Sequence, residues 1–266
     1  MVMAKKYYGQ HFLNDYSIAL RIISLLHRFN KLNNKINVLE VGPGKGILTR
    51  FLLRNEMVNL KMVEIDEEIV NFLETKYEGI EERIIVGDIL KCELDKVFDG
   101  EEYVVIGNFP YNISTQIIFK IMEYKSYIPF VVGMFQKEVA DRLSAKSSRA
   151  VGIMSIYTQA YYMVKKEFNV KADKFSPKPK VESSVITMQR MYSKRADVEE
   201  EKFLKLLKLS FNQRRKKLKN SLSRVLNGIN INDYMYLMDK RAEELTVEDY
   251  IKLSHELGWL FSDSNE

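Results

Sequence analysis

The sequence predicts an α/β fold with a mostly parallel sheet, followed by a small all-helical domain at the C-terminal end. Short apolar runs typical of buried strands alternate with segments of helical periodicity over most of the chain. A glycine-rich turn follows the first of these runs. Near residue 190 the pattern becomes helical, so we place a first domain at 1–192 and a second at 193–266.

The predicted strands are bounded by turn signals, and their spacing indicates βαβ units. They are "INVLEVG" (36–42), "LKMVEID" (60–66), "RIIVGD" (83–88), "EYVVIGN" (102–108), "IPFVVGMF" (128–135) and a last strand in "SSVITMQRMY". Segments such as "ILTRFLLRNE" and "EEIVNFLETKY" between them have helical spacing. Because the strands of βαβ units are parallel, we expect their carboxyl ends to meet at one edge of the sheet.

The second domain is predicted from a long segment with apolar residues at helical spacing, "SKRADVEEEKFLKLLKLSFNQRRKKLKNSLSRVLNG", which ends at Asn227-Gly228. Its acidic residues 199–201 lie where a helix begins. A further helix is predicted at "LTVEDYIKL", where Thr246 and Asp249 form a capping box.

The composition is that of a soluble globular protein. Hydrophobic residues make up 46% of the 266 residues and charged residues 29%, and the net charge of +5 suggests a polyanionic partner without identifying one. Cys92 is the only cysteine, which excludes an intrachain disulfide and a thiolate metal cluster, and we predict no metal site. No apolar leader and no run of about 18 apolar residues occurs, so we expect a cytoplasmic protein with no membrane contact.

The loop "EVGPGKGILT" places Gly42 and Gly44 between a strand and a helix, where backbone N–H groups can approach a ligand. The next strand ends in Glu64 and Asp66, where a carboxylate can accept from both hydroxyls of a ribose. Asp88 ends the third strand and can accept from an adenine amino group. Together these groups are what an S-adenosylmethionine site requires.

Two other interpretations of this region stay open. A glycine-rich turn with acids at strand ends is often only structural. An NAD-type dehydrogenase is the competing cofactor enzyme, but the loop reads G-x-G-x-G where the dinucleotide fingerprint is G-x-G-x-x-G. The histidines are His11, His27 and His255, and no hydride-transfer constellation is obvious.

The stretch "GNFPYNIST" follows the fourth predicted strand and should lie at the same sheet edge. If the Asn108 side-chain oxygen and the Phe109 carbonyl accept the two hydrogens of an adenine amino group, its lone pair is directed at a sulfonium methyl. Pro110 fixes φ, and Tyr111 offers a face on which a base can stack. The alternative is a tight turn whose aromatic rings pack in the core.

Taken together, the motifs resemble a known family, the KsgA-type small-subunit rRNA adenine N6-dimethyltransferases. The matching motifs run almost end to end, from "GQHFLND", "EVGPGKGILT", "VEID", "GDIL" and "GNFPYNIST" to "MFQKEVADRLSAK", "KFSPKPKVESSV", "FNQRRKKLKNSL" and "RAEEL". The resemblance implies a Rossmann-like class I methyltransferase sheet with an antiparallel last strand, and S-adenosylmethionine as cofactor. It also implies dimethylation of two neighbouring adenines of 16S rRNA in a pre-30S particle, by a catalytic domain and a helical rRNA-binding domain.

By motif, the resemblance assigns cofactor contacts to His11, Leu13, Gly42, Gly44, Glu64, Ile65, Asp88, Ile89 and Asn108. It assigns contacts with the target base to Asn108, Phe109, Pro110, Tyr111 and Phe175, the last as a second aromatic wall in "KFSPKP". His11 stands where the family usually has Asn, so we expect its backbone to serve the cofactor. Phe109 replaces the commoner Leu, which the family's use of the backbone carbonyl tolerates.

A dense basic run is the candidate RNA-binding element. It consists of Arg214, Arg215, Lys216, Lys217 and Lys219, and it interrupts an amphipathic helix. Such runs are usually solvated helix faces, but this one favours contacts with rRNA phosphates. Nothing in the sequence asks for a dimer, and we expect a monomer.

Two alternatives differ from this interpretation in substrate or in class. The related large-subunit rRNA dimethyltransferases that confer antibiotic resistance share the fold and an N-x-P-Y site. A ribosome-assembly factor with secondary methylation would keep its role without the cofactor.

Overall fold

The computed structural model describes residues 3–29, 34–146, 150–191, 199–226 and 232–261. The chain forms two compact units: the first comprises Met1–Ala140 and Lys165–Arg190, and the second comprises Asp141–Val164 and Met191–Glu266. The predicted boundary at 192/193 lies outside the described residues. The segment 141–164 therefore groups with the C-terminal residues, an association for which the sequence offered no signal.

The six predicted strands begin within two residues of the positions predicted for them. The strand bounds are β1 Phe12–Leu13, β2 Ile36–Val41, β3 Val58–Glu64, β4 Ile84–Val86, β5 Val104–Asn108, β6 Phe130–Gln136, β7 Tyr162–Val170, β8 Phe175–Ser176 and β9 Ser183–Arg190. Of these, β1, β7 and β8 were not predicted, and two of them are only two residues long.

The larger sheet has the strand order β4-β3-β2-β5-β6-β9-β7. β2 is parallel to β3 and to β5, β3 is parallel to β4, and β5 is parallel to β6. β9 is antiparallel to β6, and β1 and β8 form a separate antiparallel pair. This topology confirms the predicted α/β class and the antiparallel last strand, and it brings the carboxyl ends of β2 to β5 to one edge.

Helices cover the sheet and build the second unit. Their bounds are α1 Tyr16–Ser24, α2 Thr49–Leu53, α3 Glu67–Lys76, α4 Ser114–Glu123, α5 Lys137–Ser144, α6 Ile153–Tyr161, α7 Glu200–Asn212, α8 Leu218–Ser221, α9 Met235–Met238 and α10 Val247–Leu257. Within the described residues, no helix has the length and apolar character that crossing a membrane requires.

The core of the first unit lies on a face of the sheet that helices cover. Val38, Leu60 and Val104 come from neighbouring strands and pack with Ile22 of α1 and Leu52 of α2. Each of these residues is at most 1% exposed, and burial of such a side chain contributes about 1.5–3 kcal/mol. The sheet is therefore held by residues that the apolar runs already indicated.

The second unit is built around α6, α7 and α10. The predicted capping box is confirmed, because Thr246 Oγ1 accepts from the Asp249 N–H at 3.1 Å and Asp249 Oδ2 accepts from the Thr246 N–H at 3.0 Å. The basic run interrupts the helical segment, as predicted, and of its cations only Lys219 lies in a helix. Helix α7 ends at Asn212, and a short connection that forms a β-bridge between Lys217 and Arg241 precedes α8.

Candidate active site

One cavity lies at the carboxyl edge of the parallel strands and is closed on one side by N-terminal residues 8–13. All of the residues assigned to the cofactor line it, namely His11, Leu13, Gly42, Gly44, Glu64, Ile65, Asp88, Ile89 and Asn108. Phe109, Pro110 and Tyr111 line it as well. The structure therefore brings together groups that lie about a hundred positions apart in the sequence.

The glycine loop after β2 has a backbone that side chains would not tolerate. Gly42 and Gly44 have φ values of 65° and 54°. A Cβ on Gly44 would lie 2.9 Å from the Phe12 ring, which packs directly over the loop. The glycines thus let the loop approach a ligand while an aromatic ring from β1 covers it.

Glu64 ends β3, and its buried carboxylate accepts hydrogen bonds from the glycine loop and from the residues that follow β3. Its Oε2 accepts from the Gly44 N–H at 3.3 Å, and its Oε1 accepts from the N–H groups of Ile65 at 3.0 Å and Asp66 at 3.1 Å. Burial raises the pKa of Glu64, while these hydrogen bonds oppose the rise. A carboxylate has about four acceptor sites, so Glu64 keeps capacity for a ligand hydroxyl.

Asp66 has a different role from the one its position suggested. It is 1% exposed and caps α3 by accepting from the Glu68 N–H at 3.1 Å. It also accepts from Lys5 Nζ at 2.6 Å and from Gln10 Nε2 at 3.0 Å. Burial alone would raise its pKa, but these bonds hold it below its usual value. Asp66 therefore holds the N-terminal segment in place through Lys5 and Gln10. Glu64 is then the carboxylate that can bind a ribose hydroxyl of the cofactor.

Asp88 and its neighbour Ile89 follow β4 at the next part of the cavity wall. Asp88 Oδ1 accepts from the Leu90 N–H at 3.0 Å, which fixes the side chain in the turn. Ile89 is 7% exposed and contributes an apolar surface beside this carboxylate. An acid next to an apolar surface suits a purine with an exocyclic amino group.

Glu40 is a lining residue that sequence reasoning missed. It lies in β2, is 1% exposed, and its Oε2 accepts from Thr49 Oγ1 at 2.8 Å. Burial raises its pKa from 4.5 to about 8, and the nearby Glu64 adds to the rise. The available signal was a single acid inside the apolar run "INVLEVG".

The buried Glu40 should make stability depend on pH. Because its folded pKa is about 8 and the unfolded value is 4.5, the folded protein binds more protons between these values. Stability should therefore fall as pH rises through this window, with a slope approaching about 1.4 kcal/mol per pH unit from this residue. Urea unfolding from pH 5 to 8 should show that Glu40→Gln removes this contribution, and an equal slope in both proteins would contradict it.

Asn108 ends β5, lines the cavity and has a side-chain acceptor without a partner. Its Nδ2 donates to the His11 carbonyl at 2.8 Å, which orients the amide. Its Oδ1 is buried and has no hydrogen-bond partner within the described chain. Leaving a buried acceptor unpaired costs about 1–3 kcal/mol, so this oxygen marks a place where a donor is expected to bind.

The turn after Asn108 is held in place by the packing of the Phe109 ring in the core. Phe109 is 1% exposed, and its ring lies 4.9 Å from that of Phe135. Glycines in β5 and β6 make room for it, because a Cβ on Gly107 would lie 2.9 Å and one on Gly133 2.5 Å from the ring. The Phe109 N–H donates to the Met134 carbonyl at 3.1 Å, so the backbone of the turn is held in place.

Tyr111 lies at the cavity between two further contacts. Its hydroxyl forms a hydrogen bond with Ser183 Oγ of β9. Its ring lies 5.1 Å from the His11 ring, and His11 Nδ1 donates to the Pro177 carbonyl at 2.7 Å. Burial raises the pKa of Tyr111, so it stays a neutral phenol. The His11 side chain therefore supports Tyr111, in addition to the backbone role expected of His11.

Phe175 is placed differently from the other assigned residues. It lies in β8, pairs with Leu13 of β1, and is not among the residues that line the cavity. It is 4% exposed and belongs to the core cluster that includes Leu13 and Ile22. Its assignment as a second wall for the base stays a prediction.

The basic run of the second unit divides into paired and unpaired cations. Arg214 Nε contacts Glu243 at 2.6 Å, and the amines of Lys217 and Lys219 contact Asp239 at 3.1 and 2.7 Å. Arg215 and Lys216 are exposed, and neither forms an ion pair within the described residues. The run therefore presents fewer free charges than its sequence suggests.

Comparison with known proteins gives concordant matches. A family model described as "Ribosomal RNA adenine dimethylase" matches residues 1–258. The chain is 43% identical over 259 residues to the ribosomal RNA small subunit methyltransferase A of Cytophaga hutchinsonii, covering 96% of this chain and 98% of the relative. The enzyme of the same name from Parabacteroides distasonis is 45% identical over 256 residues, covering 96% and 94%.

Solved structures agree in fold. A dimethyladenosine transferase from Plasmodium falciparum matches with a TM-score of 0.76 and 24% identity, covering 94% of this chain and 98% of that chain. The 23S rRNA methyltransferase ErmE matches with a TM-score of 0.68 and 22% identity, covering 95% and 100%. At these identities the likeness concerns the fold alone.

Proposed function

Because the chain belongs to the ribosomal RNA adenine dimethylase family, we propose that it transfers methyl groups from S-adenosylmethionine to N6 of two adjacent adenines near the 3′ end of small-subunit rRNA. The observation that carries the site assignment is the buried Asn108 Oδ1 without a partner at the end of β5. An exocyclic amino group would supply the missing donor.

The cavity fits the cofactor. Gly42 and Gly44 have positive φ values that only glycine adopts readily, Glu64 keeps acceptor capacity for one ribose hydroxyl, and Asp88 with Ile89 suits an adenine ring. When bound, S-adenosylmethionine supplies a methyl group activated by its sulfonium. We assign its binding to these residues, with Leu13, Ile65 and the backbone of His11 completing the walls.

The protein's contribution to the transfer is mainly positioning. Asn108 Oδ1 and the Phe109 carbonyl accept the two hydrogens of the adenine amino group, so the nitrogen lone pair is directed at the methyl. With the cofactor bound, the amino nitrogen would take the methyl group from the sulfonium, which would leave as the neutral thioether, and the proton of the nitrogen would pass to water. Since the leaving group is already activated, a strong general base is not required.

The target base is held by stacking. Tyr111 offers its ring, which Ser183 and His11 hold from two sides. Stacking on an aromatic ring contributes about 1–3 kcal/mol per base. Phe175 is the proposed second wall, and it would need to expose more of its ring than the 4% accessible here.

The function is tested by the modification itself. Pre-30S particles from a strain lacking this protein, incubated with the protein and labelled cofactor, should gain N6-dimethyladenine detectable by mass spectrometry. The absence of this product would reject the proposal. Expression in a sensitive strain without any gain of macrolide resistance would distinguish it from the large-subunit activity.

The second unit is proposed to bind rRNA through the exposed part of its basic run. Arg215→Gln with Lys216→Gln should reduce the slope of log K against log salt by about 2, since each lost phosphate contact lowers it by about 1. Arg214→Gln should instead lower the thermal stability, because Arg214 is bound to Glu243 and to the Val151 carbonyl. Anisotropy with labelled rRNA and thermal unfolding measure both effects; an unchanged slope in the double variant would contradict the assignment.

The setting of the reaction is proposed on the same basis. We take the substrate to be the rRNA within a pre-30S particle in the cytoplasm, and the enzyme to act as a monomer. The family's rRNA substrate supports the first, and size-exclusion chromatography with light scattering would test the second.

A further inference from the structure

A second concave surface lies in the first unit beside the cofactor cavity, with which it shares Leu13, Lys45 and Ile47. Its walls come from the beginning of α1, from α2 and from the end of α3. We call it the basic groove, because the charged side chains lining it are Lys45, Arg50, Arg54 and Lys76. No Asp or Glu is among its described lining residues.

These four cations differ from Arg214, Lys217 and Lys219 of the basic run, which have acidic partners. Within the described part of the chain, none of them forms an ion pair, whereas Arg214 does. Lys76 Nζ donates to the Lys45 carbonyl at 2.8 Å, so its amine is directed into the groove beside other cations. Partial burial and the neighbouring Arg50 lower the pKa of Lys76. An anion bound here would relieve this repulsion.

Aromatic rings alternate with the cations. The Arg50 guanidinium carbon lies 5.2 Å from the centroid of the Tyr16 ring, and Tyr16 is 54% exposed. Lys76 Nζ lies 5.3 Å from the Phe72 ring and 5.1 Å from the Tyr77 ring. Tyr16 is the exposed ring among these three, and cations interleaved with aromatic rings are typical of surfaces that bind single-stranded nucleic acid by phosphate contacts and base stacking.

We propose that the basic groove binds a segment of the RNA substrate outside the target adenine, with phosphates on Arg50, Arg54 and Lys76 and a base stacked on Tyr16. The choice of RNA rests on the proposed function, whereas the site is separate from the cavity for the target base and from the basic run. The continuity with the cofactor cavity through Lys45 places this segment close to the reaction.

The test measures binding of a fluorescein-labelled single-stranded RNA oligonucleotide as a function of KCl concentration. Arg50→Gln with Arg54→Gln removes two cations that do not line the cofactor cavity. The slope of log K against log salt should fall by about 2, and binding at about 0.15 M salt should weaken roughly tenfold or more. Binding of S-adenosylmethionine, measured by calorimetry, should be unchanged.

The matched control is Arg83→Gln with Lys35→Gln, which removes the same charge from exposed positions of the same unit outside the groove. Its slope should fall by less than about 0.5. Equal slopes for the groove variant and the control would overturn the proposal, since a general charge effect would then explain the loss.

Tyr16 provides a second measurement that does not depend on charge. Tyr16→Ala should weaken RNA binding about fivefold or more, while Tyr16→Phe should keep it, since stacking needs only the ring. Equal affinities for these two variants would overturn the stacking contact. These binding experiments do not measure methyl transfer. A missing dimethyladenine product would therefore reject the proposed function without affecting their results. An unchanged salt slope would reject RNA binding at the basic groove even if methylation persists.

Discussion

Asn108→Ala is expected to reduce the rate of methyl transfer by about 10²–10³-fold, the loss typical of removing one preorganised group that stabilises a reacting atom. The variant removes the buried Oδ1 acceptor, so the amino group is no longer aimed at the methyl. The affinity for S-adenosylmethionine should fall by less than about tenfold, since only the hydrogen bond to the His11 carbonyl is lost on that side. Single-turnover kinetics with pre-30S particles, together with calorimetry, measure the two effects separately.

Asn112→Ala is the matched control for this prediction. Asn112 also donates its amide to a backbone carbonyl of the N-terminal segment, that of Tyr7 at 3.2 Å, but it is an exposed residue. Its loss should slow transfer by less than about tenfold. If both variants lost the same activity, the role of Asn108 would be to hold the segment and not to orient the base.

Glu64→Ala is expected to weaken S-adenosylmethionine binding by about 100-fold or more. Hydrogen bonds to a charged group contribute about 1.5–3 kcal/mol each, and the variant loses the proposed contacts with the ribose. It also leaves the N–H groups of Gly44, Ile65 and Asp66 without their acceptor, so the loop should loosen. Calorimetry measures the affinity, and thermal unfolding measures the cost to the fold.

Glu64→Gln keeps the prediction testable if the alanine variant unfolds. The amide can still accept from Ile65 and Asp66 but directs its NH₂ group toward the Gly44 N–H, so affinity should fall about tenfold or more while the fold is kept. Glu67→Gln at the exposed start of α3 is the control and should bind as the wild type does. Wild-type affinity in Glu64→Gln would contradict the assignment. A Glu64 variant that loses methylation but still supports ribosome assembly would separate the methyltransferase function from a role as an assembly factor.

The sequence sufficed for β2, β3, β5, β6 and β9 because most residues of these strands are buried, whereas β7 of the same sheet, which has many exposed or half-buried residues, was missed. Runs such as "EYVVIGN" are then apolar throughout and can be recognised without knowledge of their partners. The two-residue strands β1 and β8 carry no such signal, and their pairing depends on chain segments about 160 positions apart. Likewise, α7 ends before the basic run because Lys217 pairs with Arg241 and Asp239, contacts that helical periodicity cannot reveal.

The types of residue in the candidate active site could be predicted from the sequence, but their hydrogen-bond partners could not. In the sequence, Glu64 and Asp66 look equivalent, since both lie at the end of a strand. In the structure, the Asp66 carboxylate accepts hydrogen bonds from Lys5 and Gln10, so Glu64 is the acid with capacity for a ligand. Glu40 was not predicted as a site residue because, in the sequence, a single acid within an apolar run does not differ from an incidental polar residue. Phe175 shows the opposite case, since a motif assigned it to a base while its ring lies in the core.

The pairing of β1 with β8 has a consequence for the order in which a growing chain can complete its cofactor cavity. Residues 8–13 leave the ribosome first, but Phe12 and Leu13 pair with residues 175–176, and the His11 ring bonds to the Pro177 carbonyl. The strand pairing of Phe12 and Leu13 and the His11 hydrogen bond can therefore form only after residues 175–177 have been made. A nascent chain shorter than this lacks the partner strand, so tight cofactor binding should begin late in translation.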